Sequence, residues 1–293
     1  MTDCNIMERK VVVVKCRVCD WEGTAEKVTA CEMMYGTGEA FTYFICPKCH
    51  CLQIETIPDD LSKYYSNNYY SYRVPDATNN NDGERKETRI LDVGCGAGTW
   101  LCEMAKEGYV NLIGCDPFIE TDLQYDNGVK IYKRTIHEME GEFDWIRLND
   151  SFEHMTDPHE VMDSIYRLLC IDGMAQISIP VFPNIVYDTF GVNWYQLDAP
   201  RHIVLYSREG FENMVKHHHL EIVRIDYNSV NSAFIRSFLY EEGIPYREQT
   251  EECISQYFSP EDVNKCSEYA MEANEKEYGD YAIFFLKKVV TAK

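Results

Sequence analysis

The chain has 293 residues, 45% of them hydrophobic, and its 28 basic against 49 acidic side chains give a formal charge of −21. That length allows one large domain plus a small one, and that sign of charge excludes an ordinary nucleic-acid binder, whose affinity rests on basic side chains that displace counterions from phosphates. No apolar run long enough to span a bilayer occurs, and the first ten residues lack the apolar core of a secretory signal, so a cytoplasmic protein without a membrane span is expected. Its 13 cysteines then read as free thiols and metal ligands rather than disulfides.

Residues 1–60 read as a small lobe. Cys16-Arg-Val-Cys19 and Cys46-Pro-Lys-Cys49 are two C-x-x-C pairs, with strands expected before them at 11–14 and 41–45. Two thiolates two residues apart wrap one metal from a tight knuckle, and two knuckles supply the four-sulfur set that zinc prefers. A redox dithiol would need only one such pair. Four cysteine ligands leave no open coordination position, so the metal would be structural, in a lobe too small for a core of its own. Asp20 and His50 follow the knuckles where glycine is common, and His50, Cys51 and Cys31 are spare ligands nearby.

Residues 61–88 read as a connecting segment. Five tyrosines, Tyr70 among them, crowd residues 61–72 and can roof a pocket with a hydrogen-bonding rim or pack the lobe onto its neighbour. Residues 75–88 are polar and rich in turn formers, as in a flexible linker.

From residue 89 to the end, strand and helix patterns alternate, which implies a parallel sheet covered on both faces. Ile90, Leu91 and Val93 run into Gly94, Gly96 and Gly98, and a helical pattern starts at Trp100. Glycine lets a ligand lie against bare amides at a helix N-terminus, a place suited to an anionic group. The third glycine stands at 98 and Thr99 follows, so the dinucleotide G-x-G-x-x-G spacing is absent, as is the Gly-Lys-Ser/Thr of a P-loop. The next strand ends at Asp116, followed by Pro117 and Phe118, placing an acid where it can accept both hydroxyls of a ribose. Polar insertions are expected at about 182–206 and, as an acidic helical segment, at about 240–280. His217-His218-His219 cannot converge on one ion from a helix and reads as a polar helix end.

Leu91-Asp-Val-Gly-Cys-Gly-Ala-Gly98, Ile113-Gly-Cys-Asp-Pro-Phe118 and the segment from Phe143 to Pro158 resemble, in order, the motifs of class I S-adenosylmethionine-dependent methyltransferases. The resemblance implies an α/β fold, a seven-stranded Rossmann-like sheet with its last strand inserted antiparallel. It assigns Asp92, Gly94, Cys95, Gly96 and Gly98 to the amino-acid part of the cofactor. It gives Asp116 the ribose and Pro117 and Phe118 the adenine side, with Asn149 and Asp150 beside the methionine end. Together with the cysteine-rich lobe, it extends to bacterial methyltransferases of deoxysugars and polysaccharides.

Methylation of a hydroxyl needs a base beside it. Glu153 and His154 follow the expected fourth strand, where Glu153 can orient His154 or the pair can be buried struts. Asn193-Trp-Tyr-Gln-Leu-Asp-Ala-Pro-Arg-His202 is similar to a segment of the polysaccharide enzymes and offers Trp194, Tyr195, Asp198 and Arg201 for carbohydrate contact and His202 as a second base. The expected reaction is methyl transfer to a sugar hydroxyl of a small-molecule or glycan acceptor. Deoxysugar C-methylation and phenolic or lipid O-methylation are the rivals within enzymes, and a zinc-ribbon interaction or cofactor-binding protein without turnover is the rival outside them.

Overall fold

A computed structural model describes residues 11–65, 75 and 85–290. In chain order come β1 (Val11–Lys15), β2 (Glu22–Cys31), β3 (Ala40–Ile45), β4 (Leu52–Ile54), β5 (Lys86–Val93), α1 (Thr99–Lys106) and β6 (Tyr109–Cys115). They are followed by β7 (Leu123–Gln124), β8 (Lys130–Tyr132), β9 (Phe143–Asn149), α2 (Pro158–Leu168), β10 (Leu169–Pro180), α3 (Ile185–Phe190) and β11 (Val204–Leu205). The last are α4 (Arg208–His217), β12 (Leu220–Tyr227), α5 (Asn231–Glu241), α6 (Glu251–Tyr257), α7 (Pro260–Glu275) and β13 (Tyr281–Lys288).

These elements form two compact units, each drawn from separated stretches. One contains the described residues up to Tyr64 with Ile179–Asn213 and Asp226–Ile283; the other contains those from Tyr65 to Ser178, Met214–Ile225 and the residues from Phe284. Both segments expected as insertions belong to the same compact unit as the described residues up to Tyr64.

The first unit is built on a five-stranded sheet in the order β1-β2-β3-β4-β11. β2, absent from the sequence reading, joins the two expected strands by pairing antiparallel with both. β11 arrives from far along the chain and pairs Val204 with Gln53 and Leu205 with Leu52. Tyr43, Leu52 and Ile54 are buried on one face of this sheet and Phe44 and Gln53 on the other. The expected acidic helical segment is partly core: α7 starts at a capping box of Ser259 and Asp262 with Pro260 in its first turn, and it buries Ala270 and Ala273.

The second unit carries a sheet in the order β12-β13-β10-β9-β5-β6-β8-β7. Seven strands were expected; among the described residues the sheet has eight, the two-residue β7 adding an antiparallel edge beside β8. β5 runs parallel to both β6 and β9, β9 parallel to β10, and β6 parallel to β8. The strand order therefore reverses next to β5, and the strand ends there form the crevice in which such sheets bind ligands. β5 starts at Lys86, so Lys86–Thr88 are strand where the composition suggested linker; most of the tyrosine-rich segment, Tyr70 included, lies outside the described residues. Ile90, Leu101, Cys102, Leu112, Val129 and Ile131 pack as one apolar cluster between sheet and α1. No helix of the described residues is long and apolar enough to cross a membrane.

Candidate functional site

The glycine loop follows β5 directly. Gly94, Gly96 and Gly98 have φ of 73°, 55° and 79°, values that a side chain disfavours. Space is as restrictive as torsion, since a Cβ on Gly94 would lie 2.6 Å from Ser151 and one on Gly98 2.6 Å from Ile131. Gly98 caps α1 in the left-handed conformation. The Cys95 sulfur sits over Gly114, whose absent Cβ would lie 2.4 Å from it, and burial pushes its thiol well up; Cys95 is a filler of the loop.

The loop is tied to the tip of β6 by a carboxylate. Asp116 accepts the Gly96 amide on Oδ2 at 2.9 Å and the Phe118 amide on Oδ1 at 2.8 Å, so both of its oxygens hold backbone in place. Burial raises its pKa, opposed by those two bonds. Asp92 lies 2% exposed at the end of β5 and accepts Nη1 of Arg147 at 3.0 Å. Burial raises its pKa to about 6 against the pull of the guanidinium. Arg147 was not singled out in the sequence, although a lone arginine between Ile146 and Leu148 was a signal; in the pairing of β5 with β9 it stands opposite Asp92. Two carboxylates against one guanidinium leave the cradle with a negative excess. The Gly96 amide, one of those the glycine loop could offer a ligand, is spent on Asp116.

Around this cradle, Phe118 is 61% exposed and its ring stacks on Tyr65, with centroids 5.7 Å apart and planes 12° from parallel. The Tyr65 hydroxyl is 3.1 Å from Nδ1 of His154, and Nε2 of His154 is 4.0 Å from Oε1 of the buried Glu153. Asp150 has φ of 48°, and its carboxylate accepts the Asn149 amide at 2.6 Å. Ser151 donates its hydroxyl to the Val93 carbonyl at 3.0 Å, tying this turn to the end of β5. Asp92, the three glycines, Asp116, Pro117, Phe118, Asn149, Asp150, Glu153 and His154 all belong to this unit, as the motif order implied. His218 is also here, though not as a polar helix end: it is buried, 2.6 Å from Asp163 and 2.7 Å from His159.

The first unit holds the two C-x-x-C pairs. The sulfurs of Cys16, Cys19, Cys46 and Cys49 lie within 4.8 Å of one another, with Cys16 to Cys49 at 3.5 Å and Cys19 to Cys46 at 3.6 Å. Four sulfurs at about 2.3 Å around one tetrahedral zinc stand about 3.8 Å apart, so the donor set fits that ion. Asp20 and His50 take φ of 55° and 59°, the left-handed turn for which glycine was expected, and their amides donate to the carbonyls of Cys16 and Cys46. The Cys16 thiol is held down to about 4, chiefly by its bond to Cys49, with Gln53 Nε2 donating to its sulfur at 2.9 Å. Cys51 joins Ser207 instead, and Cys31 is disulfide-bonded, an exception to the expected free thiols.

Three of the residues assigned to carbohydrate contact have their polar atoms bonded within the fold. Trp194 is fully buried and its indole N–H donates to Asp280 at 3.0 Å. Arg201 is fully buried, donating to Asp198 at 2.8 Å through Nε, to Glu32 at 3.1 Å through Nη2 and to the Tyr64 carbonyl at 3.3 Å. Trp194, Asp198 and Arg201 are therefore internal struts, since their polar atoms are committed inside the fold. The Tyr195 amide donates to Ser237 at 3.1 Å, and His202 is buried, its Nδ1 2.7 Å from the Gln196 carbonyl.

Several known proteins resemble the chain. It is 33% identical over 101 residues to a ubiquinone biosynthesis O-methyltransferase of Pseudomonas aeruginosa, a match covering 31% of this chain and 43% of that protein. A ubiquinone biosynthesis O-methyltransferase of Xylella fastidiosa is 28% identical over 120 residues, 38% of this chain and 45% of its own length. The chain thus spans less than half the length of these curated relatives. Among solved structures, the 1,6-didemethyltoxoflavin-N1-methyltransferase of Burkholderia thailandensis, with bound S-adenosylhomocysteine, superposes with a TM-score of 0.41 at 14% identity, covering 70% of this chain and 72% of its own. A phosphoethanolamine N-methyltransferase of Haemonchus contortus gives 0.44 at 21% identity, covering 71% and 50%. Residues 67–225 match the family described as methyltransferase domain. With more than half of its length in that match, the chain belongs to the methyltransferase-domain family.

Proposed function

We propose that the protein is a cytoplasmic methyltransferase that uses S-adenosylmethionine to methylate a hydroxyl of a small acceptor, with one structural zinc in the four-cysteine cluster. The observation that carries this reading is the cradle of Asp92 and Asp116 against the single Arg147 beside three left-handed glycines. A site with excess negative charge suits a ligand that bears a sulfonium and an ammonium, and opposes the pyrophosphate of a dinucleotide.

S-adenosylmethionine supplies, when bound, a methyl group on a sulfonium that leaves as a neutral thioether. The chain's own residues do the rest. Asp92 receives the cationic end, and the free lone pairs of Asp116 accept the ribose hydroxyls while its backbone bonds hold the loop. The exposed ring of Phe118, backed by Tyr65, flanks the adenine. His154 takes the acceptor's proton on Nε2 as the new oxygen–carbon bond forms, its ring held by the Tyr65 hydroxyl on Nδ1 beside the buried Glu153. His202 is the second histidine in this proposal, and Tyr195 remains a substrate contact.

The acceptor we favour is a sugar hydroxyl, which is what the resemblance to sugar and polysaccharide methyltransferases implies rather than anything the internally bonded Trp194, Asp198 and Arg201 supply. A phenolic hydroxyl is the second reading, supported by the names of the curated relatives. Nucleotide sugars, glycans and phenols tested as acceptors, with the product mapped by mass spectrometry, decide between them. His154→Ala should lower turnover by about 100-fold or more while leaving cofactor affinity within a few-fold; unchanged turnover would remove His154 as the base.

A further inference from the structure

We propose that Arg147 is a positioning residue that keeps Asp92 in its anionic form to receive the cationic end of the cofactor. This rests on the proposed use of S-adenosylmethionine and goes beyond it, because it gives one residue of this chain control over the pH range in which the cofactor binds.

Three features place Arg147 for this task. It stands opposite Asp92 on the adjacent parallel strand, so both side chains leave the same face of the sheet. Its guanidinium is fixed from the other side, 4.3 Å from the centre of the Trp100 ring at the start of α1, and Trp100 packs edge-on against Trp145 at 5.4 Å. It makes a single bond to Asp92, on Oδ1, so the guanidinium neutralises the carboxylate from one side and Oδ2 stays available to a ligand.

The remaining groups facing Asp92 all oppose its charge or are neutral. Asp116, where β6 ends, is a second carboxylate, and Cys95 in the loop and Cys115 on β6 are thiols whose pKa values burial has pushed up. Arg147 is therefore the cation that offsets both burial and Asp116. With it, Asp92 titrates at about 6 and is an anion at neutral pH. Without it, the carboxyl takes up a proton near neutrality, and the cofactor's ammonium meets a neutral acid.

The test is calorimetric titration of the full chain with S-adenosylmethionine, from about pH 5 to about pH 8, for wild type, Arg147→Gln and Arg147→Lys. Wild-type affinity should fall as pH drops through about 6. Arg147→Gln should bind about ten-fold more weakly at pH 7 and regain affinity as pH rises, whereas Arg147→Lys should follow the wild type. If Arg147→Gln does not fold, Trp100→Phe, which loosens the guanidinium while leaving its charge, should move the same profile upward by a smaller amount. An unchanged pH profile in the glutamine variant overturns the role of Arg147 alone. No binding by the wild type at any pH overturns the cofactor reading, and this inference with it.

Discussion

Arg201 shows how a residue type can mislead when its surroundings are unknown. An arginine beside an aromatic-rich, polar stretch suggests recognition of an anionic acceptor, yet here Glu32, Asp198 and the Tyr64 carbonyl take its donors in a fully buried setting. Burial alone would lower its pKa, and the two carboxylates more than reverse that. The energetic consequence is one-sided: removing the cation strands two acids in the interior, which costs more than the intact cluster contributes. Arg201→Ala should lower unfolding stability by about 3–5 kcal/mol, read from denaturant midpoints. A loss below about 1 kcal/mol, together with impaired acceptor binding, would restore a role in recognition. Trp194 follows the same logic on a smaller scale, because its one donor is spent on Asp280.

Elements were legible where a local pattern dictated them. The glycines at 94, 96 and 98 could form little other than a strand-to-helix turn, whereas the bond that ties the acid after β6 to that turn was not foreseen. The two C-x-x-C pairs were legible because the two-residue spacing sets each pair of sulfurs locally, and the four sulfurs do lie together. What sequence could not supply was pairing across long separations: β11 joining β4, or Arg147 meeting Asp92, depends on which strands become neighbours. β2 was missed because its polar and apolar residues alternate only loosely. The four-sulfur cluster belongs to this scale. Native mass spectrometry should find one zinc per chain, and a chelator or Cys46→Ser should melt the β1-β2-β3-β4 sheet at a temperature where the loaded protein stays folded. A metal-free protein with unchanged melting would sink the structural zinc.

At the level of the whole molecule, the charge of −21 acts without regard to any one contact. Such self-repulsion weakens the compact state and is screened within about 8 Å at physiological ionic strength. Raising the salt from about 10 mM to about 150 mM should therefore raise the melting temperature, and the effect should be the same for sodium and potassium. A melting temperature that falls with salt would mean that favourable ion pairs, such as Arg89 with Asp144, outweigh the repulsion. The same field favours small cationic or neutral ligands in the encounter step and slows polyanions.

One detail of the strand order reaches beyond the finished molecule. β13, the last strand in sequence, sits inside the sheet between β10 and β12 rather than at its rim. During synthesis both neighbours emerge from the ribosome facing a gap that nothing yet made can fill, and they stay open to wrong partners until residue 288 has been added. β10 and β12 therefore lack this shared neighbour until β13 is made, and a holding chaperone would be most useful in that interval.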